Sequence, residues 1–251
     1  MSNSPRRPTT PPLAPPLAPR ASDNTISEQL FEEFCADHGI PFEPVPRAAT
    51  RTPDYDLSIV SHRAIAEVKQ IEPNDDDLRA QQALDEGSHA SLSGEAGKRV
   101  RQVITNSKVQ IHELAKGICP GLLVIYNNAG QFSVHHTDPM FVLVAMYGHL
   151  QARLRISWPS SASHASGEQP SVVSLEDKRF GGKRRVTEAD NTSISAVCIL
   201  YRSADGKPGL NFYHNAFAAQ PFDPNWLRGE RVRHYVIKDA PSHRFETWSE
   251  A

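Results

Sequence analysis

Pro53-Asp54 is followed, thirteen positions after the aspartate, by Glu67-Val68-Lys69, which spaces two carboxylates and an ammonium as P-D-x12-E-x-K. Glu67 and Lys69 continue an apolar run that begins at Ala64-Ile65-Ala66. Alternate side chains of a strand share a face, so these two project to the same side, two residues apart. A carboxylate arriving from a preceding strand completes a group able to hold a hard divalent cation. Mg²⁺ prefers oxygen ligands and commonly takes one or two carboxylates together with phosphate oxygens. It polarises a phosphoryl group and lowers the pKa of bound water, and a nearby ammonium offsets charge building on phosphorus. The chemistry that fits is attack of water on a phosphodiester. Asp56 lies two residues beyond Asp54 and faces the same way in extended backbone, so it is a further candidate ligand; the Pro-Asp pairing favours Asp54.

Several elements must position these residues. Ser27 is placed to cap a helix in which Leu30, Phe31, Phe34 and Cys35 recur at helical spacing, ended by Gly39. Phe42 to Pro46 reads as an edge strand, because its prolines cannot donate to a ladder. Asp56 to Val60 and Ile65 to Lys69 read as two strands joined in hairpin fashion through Ser61-His62-Arg63. A short helix over Leu78 to Asp85 follows the acidic cluster Asp75-Asp76-Asp77. Lys98 to Lys116 then carries Val100, Val103, Ile104, Val109, Ile111 and Leu114 as a long amphipathic helix. Leu122 to Tyr126 is apolar throughout, as a central strand is. Pro139 to Leu154 reads as helix, residues 157–192 as a long loop, and Ile194 to Tyr201 and Leu210 to Tyr213 as strands. The expected fold class is α/β, a mixed central sheet flanked by helices.

The order helix, three strands, helix, strand, with P-D-x12-E-x-K on the second and third strands, resembles the PD-(D/E)xK nuclease superfamily over residues 27–127. That resemblance implies a restriction-endonuclease-like core, with residues 128–251 as a C-terminal elaboration of the same domain. It implies Asp54 and Glu67 as metal ligands, Lys69 as the lysine that positions or deprotonates the attacking water, and Mg²⁺ as cofactor, with Mn²⁺ a plausible substitute. Some relatives recruit a glutamate from the first helix, for which Glu32 and Glu33 are candidates, Glu32 the preferred one. The expected activity is metal-dependent phosphodiester hydrolysis, most naturally in DNA. The competing expectation is a non-catalytic nucleic-acid-binding or assembly module that keeps the fold. Many nucleases of this fold dimerise, so a homodimer is a further expectation.

Basic residues supply candidate nucleic-acid contacts. Arg101 and Lys108 are seven apart on the long helix and share a face, and with Lys98 they form a candidate phosphate track. Lys178, Arg179, Lys183, Arg184 and Arg185 put five cations into eight residues around a Gly-Gly pivot, with Phe180 available for stacking. Arg228, Arg231, Arg233 and His234 make a second group after Trp226.

Bulk properties narrow the alternatives. The 251 residues carry a net charge of −2 and are 39% hydrophobic, so basicity is local rather than global. Cys35, Cys119 and Cys198 are scattered without metal-ligand spacing, which fits buried thiols in a reducing compartment and a cytoplasmic location. No apolar run approaches the roughly 20 residues of a membrane span, and the N-terminus lacks a signal-peptide stretch. Residues 1–24 hold seven prolines and read as a disordered tail whose PxxP spacing offers a partner protein a docking site. His135-His136-x-Asp138 lacks a third ligand at zinc spacing. No glycine-rich phosphate loop or nucleophile elbow is present.

Overall fold

The first helix is set by a reciprocal cap. Thr25, rather than Ser27, closes it: the hydroxyl accepts from the Glu28 amide at 3.2 Å, and the Glu28 carboxylate accepts from the Thr25 amide at 2.7 Å. Helix α1 (Ile26–Asp37) follows. The Ser27 amide instead donates to Gln70 at 2.9 Å, tying the start of α1 to the sheet. The structure, a computed structural model, describes residues 24–46, 52–90, 94–115, 117–157, 171–180, 185–237 and 248–251. The proline-rich segment 1–23 lies outside the described residues, as do Lys183 and Arg184.

Strands β1 (Phe42–Pro44), β2 (Tyr55–Ile59) and β3 (His62–Ile71) come next, then helices α2 (Asp75–Asp85) and α3 (Lys98–Ala115) and strand β4 (Gly121–Asn127). A 3-10 turn over Gln131–Thr137 leads into α4 (Pro139–Tyr147). Strands β5 (His149–Ser157), β6 (Ser171–Phe180), β7 (Ile194–Arg202), β8 (Pro208–His214), β9 (Val232–Val236) and β10 (Ser249–Glu250) complete the order.

Eight strands form one mixed sheet in the order β1-β2-β3-β4-β7-β8-β9-β10. β3, β4 and β7 run parallel at its centre, β2 and β8 flank them antiparallel, and β8 and β9 are again parallel. The C-terminal half therefore continues the sheet of the first half. Alternation along β3 divides the core: Ala64, Ala66 and Val68 pack with Leu30, Phe31 and Phe34 of α1, whereas Ile65 and Ile71 pack with Val100, Ile104 and Ile111 of α3 and with α4. Gly121 is required where α3 meets the sheet, since a Cβ there would lie 2.3 Å from the Ile111 side chain and 2.4 Å from the Ser193 carbonyl oxygen. The α/β class and the mixed sheet flanked by helices are as expected. All three cysteines are buried and free, and burial pushes the Cys35 thiol up to about 12.

Two further expectations are corrected. The helix read over Pro139 to Leu154 stops at Tyr147, because Gly148 turns the backbone to φ +86° and β5 begins at His149. The sequence alternates apolar and polar from Leu150 to Ile156, a strand period that the preceding apolar helix obscures. The supposed loop over 157–192 contains β6, which pairs antiparallel with β5 from His149↔Phe180 to Ser157↔Ser171 as a separate two-stranded ribbon.

Candidate active site

Strand register brings the motif together. Tyr55 pairs with Ala66, and Asp54, one residue before β2, is bonded to both neighbours of Glu67, whose side chain turns toward α3. The Asp54 amide donates to the Ala66 carbonyl at 3.1 Å, and the Asp54 carbonyl accepts from the Val45 amide at 2.9 Å. Its carboxylate then accepts the Val68 amide at 2.9 Å, taking the place of the next ladder carbonyl. The aspartate is thus clamped by the backbone of the E-x-K strand itself.

Glu67 has no solvent exposure, while the side chain of Lys69 is 33% exposed, and their charged ends form an ion pair. Neither Glu67 oxygen has a hydrogen-bond partner of good geometry, so the carboxylate depends on the neighbouring ammonium. Burial first, and the Asp54 carboxylate second, push the Glu67 carboxyl up to about 7, with Lys69 opposing both. A buried, under-bonded carboxylate beside a second carboxylate is what a hard cation would satisfy. Asp54 and Glu67 therefore fit Mg²⁺. Among the described residues no group of three His, Cys, Asp or Glu side chains is arranged to hold a metal ion, so such an ion would rest on this pair plus water and phosphate oxygens.

The two further metal candidates are placed elsewhere. Asp56 shares the face of Asp54 but is taken by Arg63, whose Nε and Nη2 donate to it at 2.9 and 2.7 Å. Glu32 accepts from the Tyr55 hydroxyl at 2.7 Å and from Asn24 at 2.9 Å, on the α1 side of the sheet, away from Glu67. Its neighbour Glu33 meets Arg202 at 3.6 Å.

The basic candidates divide in the same way. Arg101 is not a surface contact: its side chain is 5% exposed, donates to the Ala96 carbonyl at 2.8 Å and pairs with Glu95 at 3.0 Å. Lys108 is exposed and borders a cleft of about 260 Å³ with Thr105 and Arg185, the latter donating to the Thr105 hydroxyl at 2.9 Å. Lys178 and Arg179 lie in strand β6, opposite Gln151 and Leu150, rather than in a loop. The second basic group is internally satisfied: Arg231 pairs with Asp37 at 3.3 Å, Arg233 with Glu250 at 3.2 Å, and Arg228 with the Ala251 carbonyl at 3.1 Å.

Two arrangements have no short-range signal in the sequence. Asp77 sits at 2.8 Å from the Ser133 hydroxyl, 3.2 Å from Arg99 and 3.6 Å from His136. His214 and His234 are buried 2.9 Å apart, and neither joins His135 in a metal group. No family model, curated protein or solved structure matches the chain.

Proposed function

We propose that this chain is a metal-dependent nuclease of restriction-endonuclease-like architecture that hydrolyses phosphodiester bonds in DNA. One observation carries the reading: Asp54 is bonded to both neighbours of Glu67 and its charge acts on the Glu67 carboxyl, with Lys69 paired to Glu67, at the end of the β2–β3 pair of a mixed sheet. Asp54 and Glu67 would hold Mg²⁺ or Mn²⁺. When bound, the ion polarises the phosphoryl group and lowers the pKa of its water. Glu67 must shed its proton to serve as a ligand, and Lys69 assists by favouring the carboxylate. The partly exposed Lys69 ammonium also offsets the negative charge that develops on the phosphate oxygens. Lys108 and Arg185, which border one cleft, would contact the backbone of the nucleic acid.

Purified protein incubated with supercoiled plasmid and Mg²⁺ tests this. Nicking or linearisation that EDTA abolishes, and that Lys69→Ala abolishes in a folded protein, is the expected result. One feature favours a second reading, a non-catalytic nucleic-acid-binding or assembly module. Glu67 is sealed from solvent and its charge is met by Lys69, as in a purely structural buried ion pair. Plasmid binding without cleavage in Mg²⁺ or Mn²⁺ selects that reading.

A further inference from the structure

Helix α3 carries a hydroxyl in a stripe that is otherwise apolar. Val100, Ile104, Ser107, Ile111 and Ala115 recur at helical spacing, and all five are without solvent exposure. The four apolar members belong to the core between α3, α4 and the sheet. The Ser107 hydroxyl has no hydrogen-bond partner among the described residues. A hydroxyl sealed in an apolar layer costs free energy until it is bonded, so a nearby acceptor would be strongly favoured.

Two contacts fix how α3 lies along β3. At the start of the helix, Arg99 donates to the Glu72 carbonyl, one residue past the end of β3. Toward its end, Ile111 lies over Gly121, where an added Cβ would come within 2.3 Å of the Ile111 side chain. Gly121 is the register partner of Ile65. The helix therefore runs back along the strand in the opposite direction. From Ile65 to Glu67 the strand advances by about 6.6 Å. From Ile111 back to Ser107 the helix covers about 6 Å. Ser107 is thus level with Glu67, which shares with Ile65 the face of β3 that α3 covers.

Glu67 has the matching deficit. It too is fully buried, neither of its oxygens has a hydrogen-bond partner of good geometry, and the ion pair with Lys69 engages Oε1. Its other charged neighbour, Asp54, offers only acceptors when ionised. An unpaired donor and an unpaired acceptor occupy one level of the same buried layer. Rotation of Ser107 among its staggered χ1 wells re-aims the hydroxyl without moving α3.

We propose that the Ser107 hydroxyl donates to the Glu67 carboxylate and holds it in place for the metal, which makes Ser107 a positioning residue of the candidate active site. The role in metal binding rests on the nuclease reading above; the hydrogen bond does not. A double-mutant cycle on the metal-free full chain, read by urea denaturation in EDTA at pH 8, tests the bond without any demand on cleavage. Ser107→Ala should lower the urea midpoint in the wild-type background. In a Glu67→Leu background it should leave the midpoint unchanged or raise it, because the hydroxyl there has lost its acceptor. Mn²⁺ titrated calorimetrically into the single variant Ser107→Ala should bind about tenfold more weakly than to the wild type, as when a group that orients a metal ligand is removed. The same midpoint loss in both backgrounds would overturn the proposal, since Ser107 would then be bonded to its own helix or to water. Mn²⁺ affinity indifferent to Ser107→Ala would overturn it as well. A wild-type chain that binds no Mn²⁺ removes the nuclease reading and the positioning role together, whereas coupling in the cycle would still establish the bond.

Discussion

The Val68 amide donates to the Asp54 carboxylate at 2.9 Å, so the middle residue of the E-x-K segment anchors the aspartate of the other half of the motif. Asp54→Asn preserves an acceptor for that amide and removes the charge. It should keep the fold, abolish Mg²⁺-dependent cleavage and return the Glu67 pKa toward the ordinary carboxylate range. Asp54→Ala also strands the amide and should cost about 1–3 kcal/mol in urea denaturation. Equal stability of the two variants would show that the anchor is energetically idle.

Glu67 makes the metal-free protein sensitive to alkali. Its carboxyl, pushed up to about 7 from an ordinary 4.5, binds its proton more tightly in the folded chain than in the unfolded one. Between those two pH values the native state holds the extra proton, so stability falls as pH rises. In EDTA the melting temperature should drop from pH 5 to pH 8, and Glu67→Gln should remove on the order of 3 kcal/mol of the underlying loss of stability. Mg²⁺ at pH 8 should restore stability to the wild type and leave Glu67→Gln unmoved.

His214 and His234 have the opposite dependence. The His234 Nε2–H donates to the Leu227 carbonyl at 2.7 Å, so its Nδ1 is the acceptor for the His214 Nε2–H at 2.9 Å. The His234 ring must then be neutral. Burial, and for His214 also the neighbouring His234, lower both pKa values, that of His214 to about 4. Below pH 6.5 the unfolded chain takes up protons that the folded chain refuses, so stability falls as pH drops toward 4. Urea midpoints at pH 7 and pH 4.5 should differ more in the wild type than in a His214→Phe, His234→Phe double variant.

Arg101 and Lys108 should separate cleanly when changed. Arg101→Ala leaves Glu95 without its arginine and the Ala96 carbonyl without a donor, and should destabilise by about 2–4 kcal/mol. Lys108→Ala with Arg185→Ala should leave the melting temperature nearly unchanged. That pair should weaken DNA binding and lower the salt dependence of log K by about 2. Filter binding across a salt series reads the difference.

The contrast shows what a sequence can carry. Period-2 and period-3.6 patterns placed β2, β3, α3 and β4, because those elements bury one face or are central, and the pairing of β2 with β3 brought Asp54 beside Glu67. Which of two same-face aspartates is free depended on Arg63, and the fate of Glu32 on Tyr55, partners whose reach no spacing rule encodes. Arg101 matched an exposed helix face in sequence, yet Glu95 and the turn before α3 fold over it. The ribbon β5–β6 was hidden for a different reason: its strands pair with each other outside the eight-stranded sheet and are separated by a Ser-rich segment.

The turn between β2 and β3 offers a test of the scaffold that presents the motif. Val60 and Ser61 occupy φ +47° and +68°, the two left-handed positions of a tight hairpin, where Asn-Gly is the favoured pair. A β-branched residue is poorly suited to that conformation, and Val60 is 69% exposed, so no packing offsets the strain. Val60→Asn with Ser61→Gly should therefore stabilise the protein by about 1–2 kcal/mol. Because β2 and β3 carry Asp54 and Glu67 at the far end of the same hairpin, cleavage at moderate temperature should be unchanged and should persist to a higher one. An unchanged urea midpoint would mean that the turn is not strained; a raised midpoint with lost cleavage would mean that the hairpin must flex for the site to work.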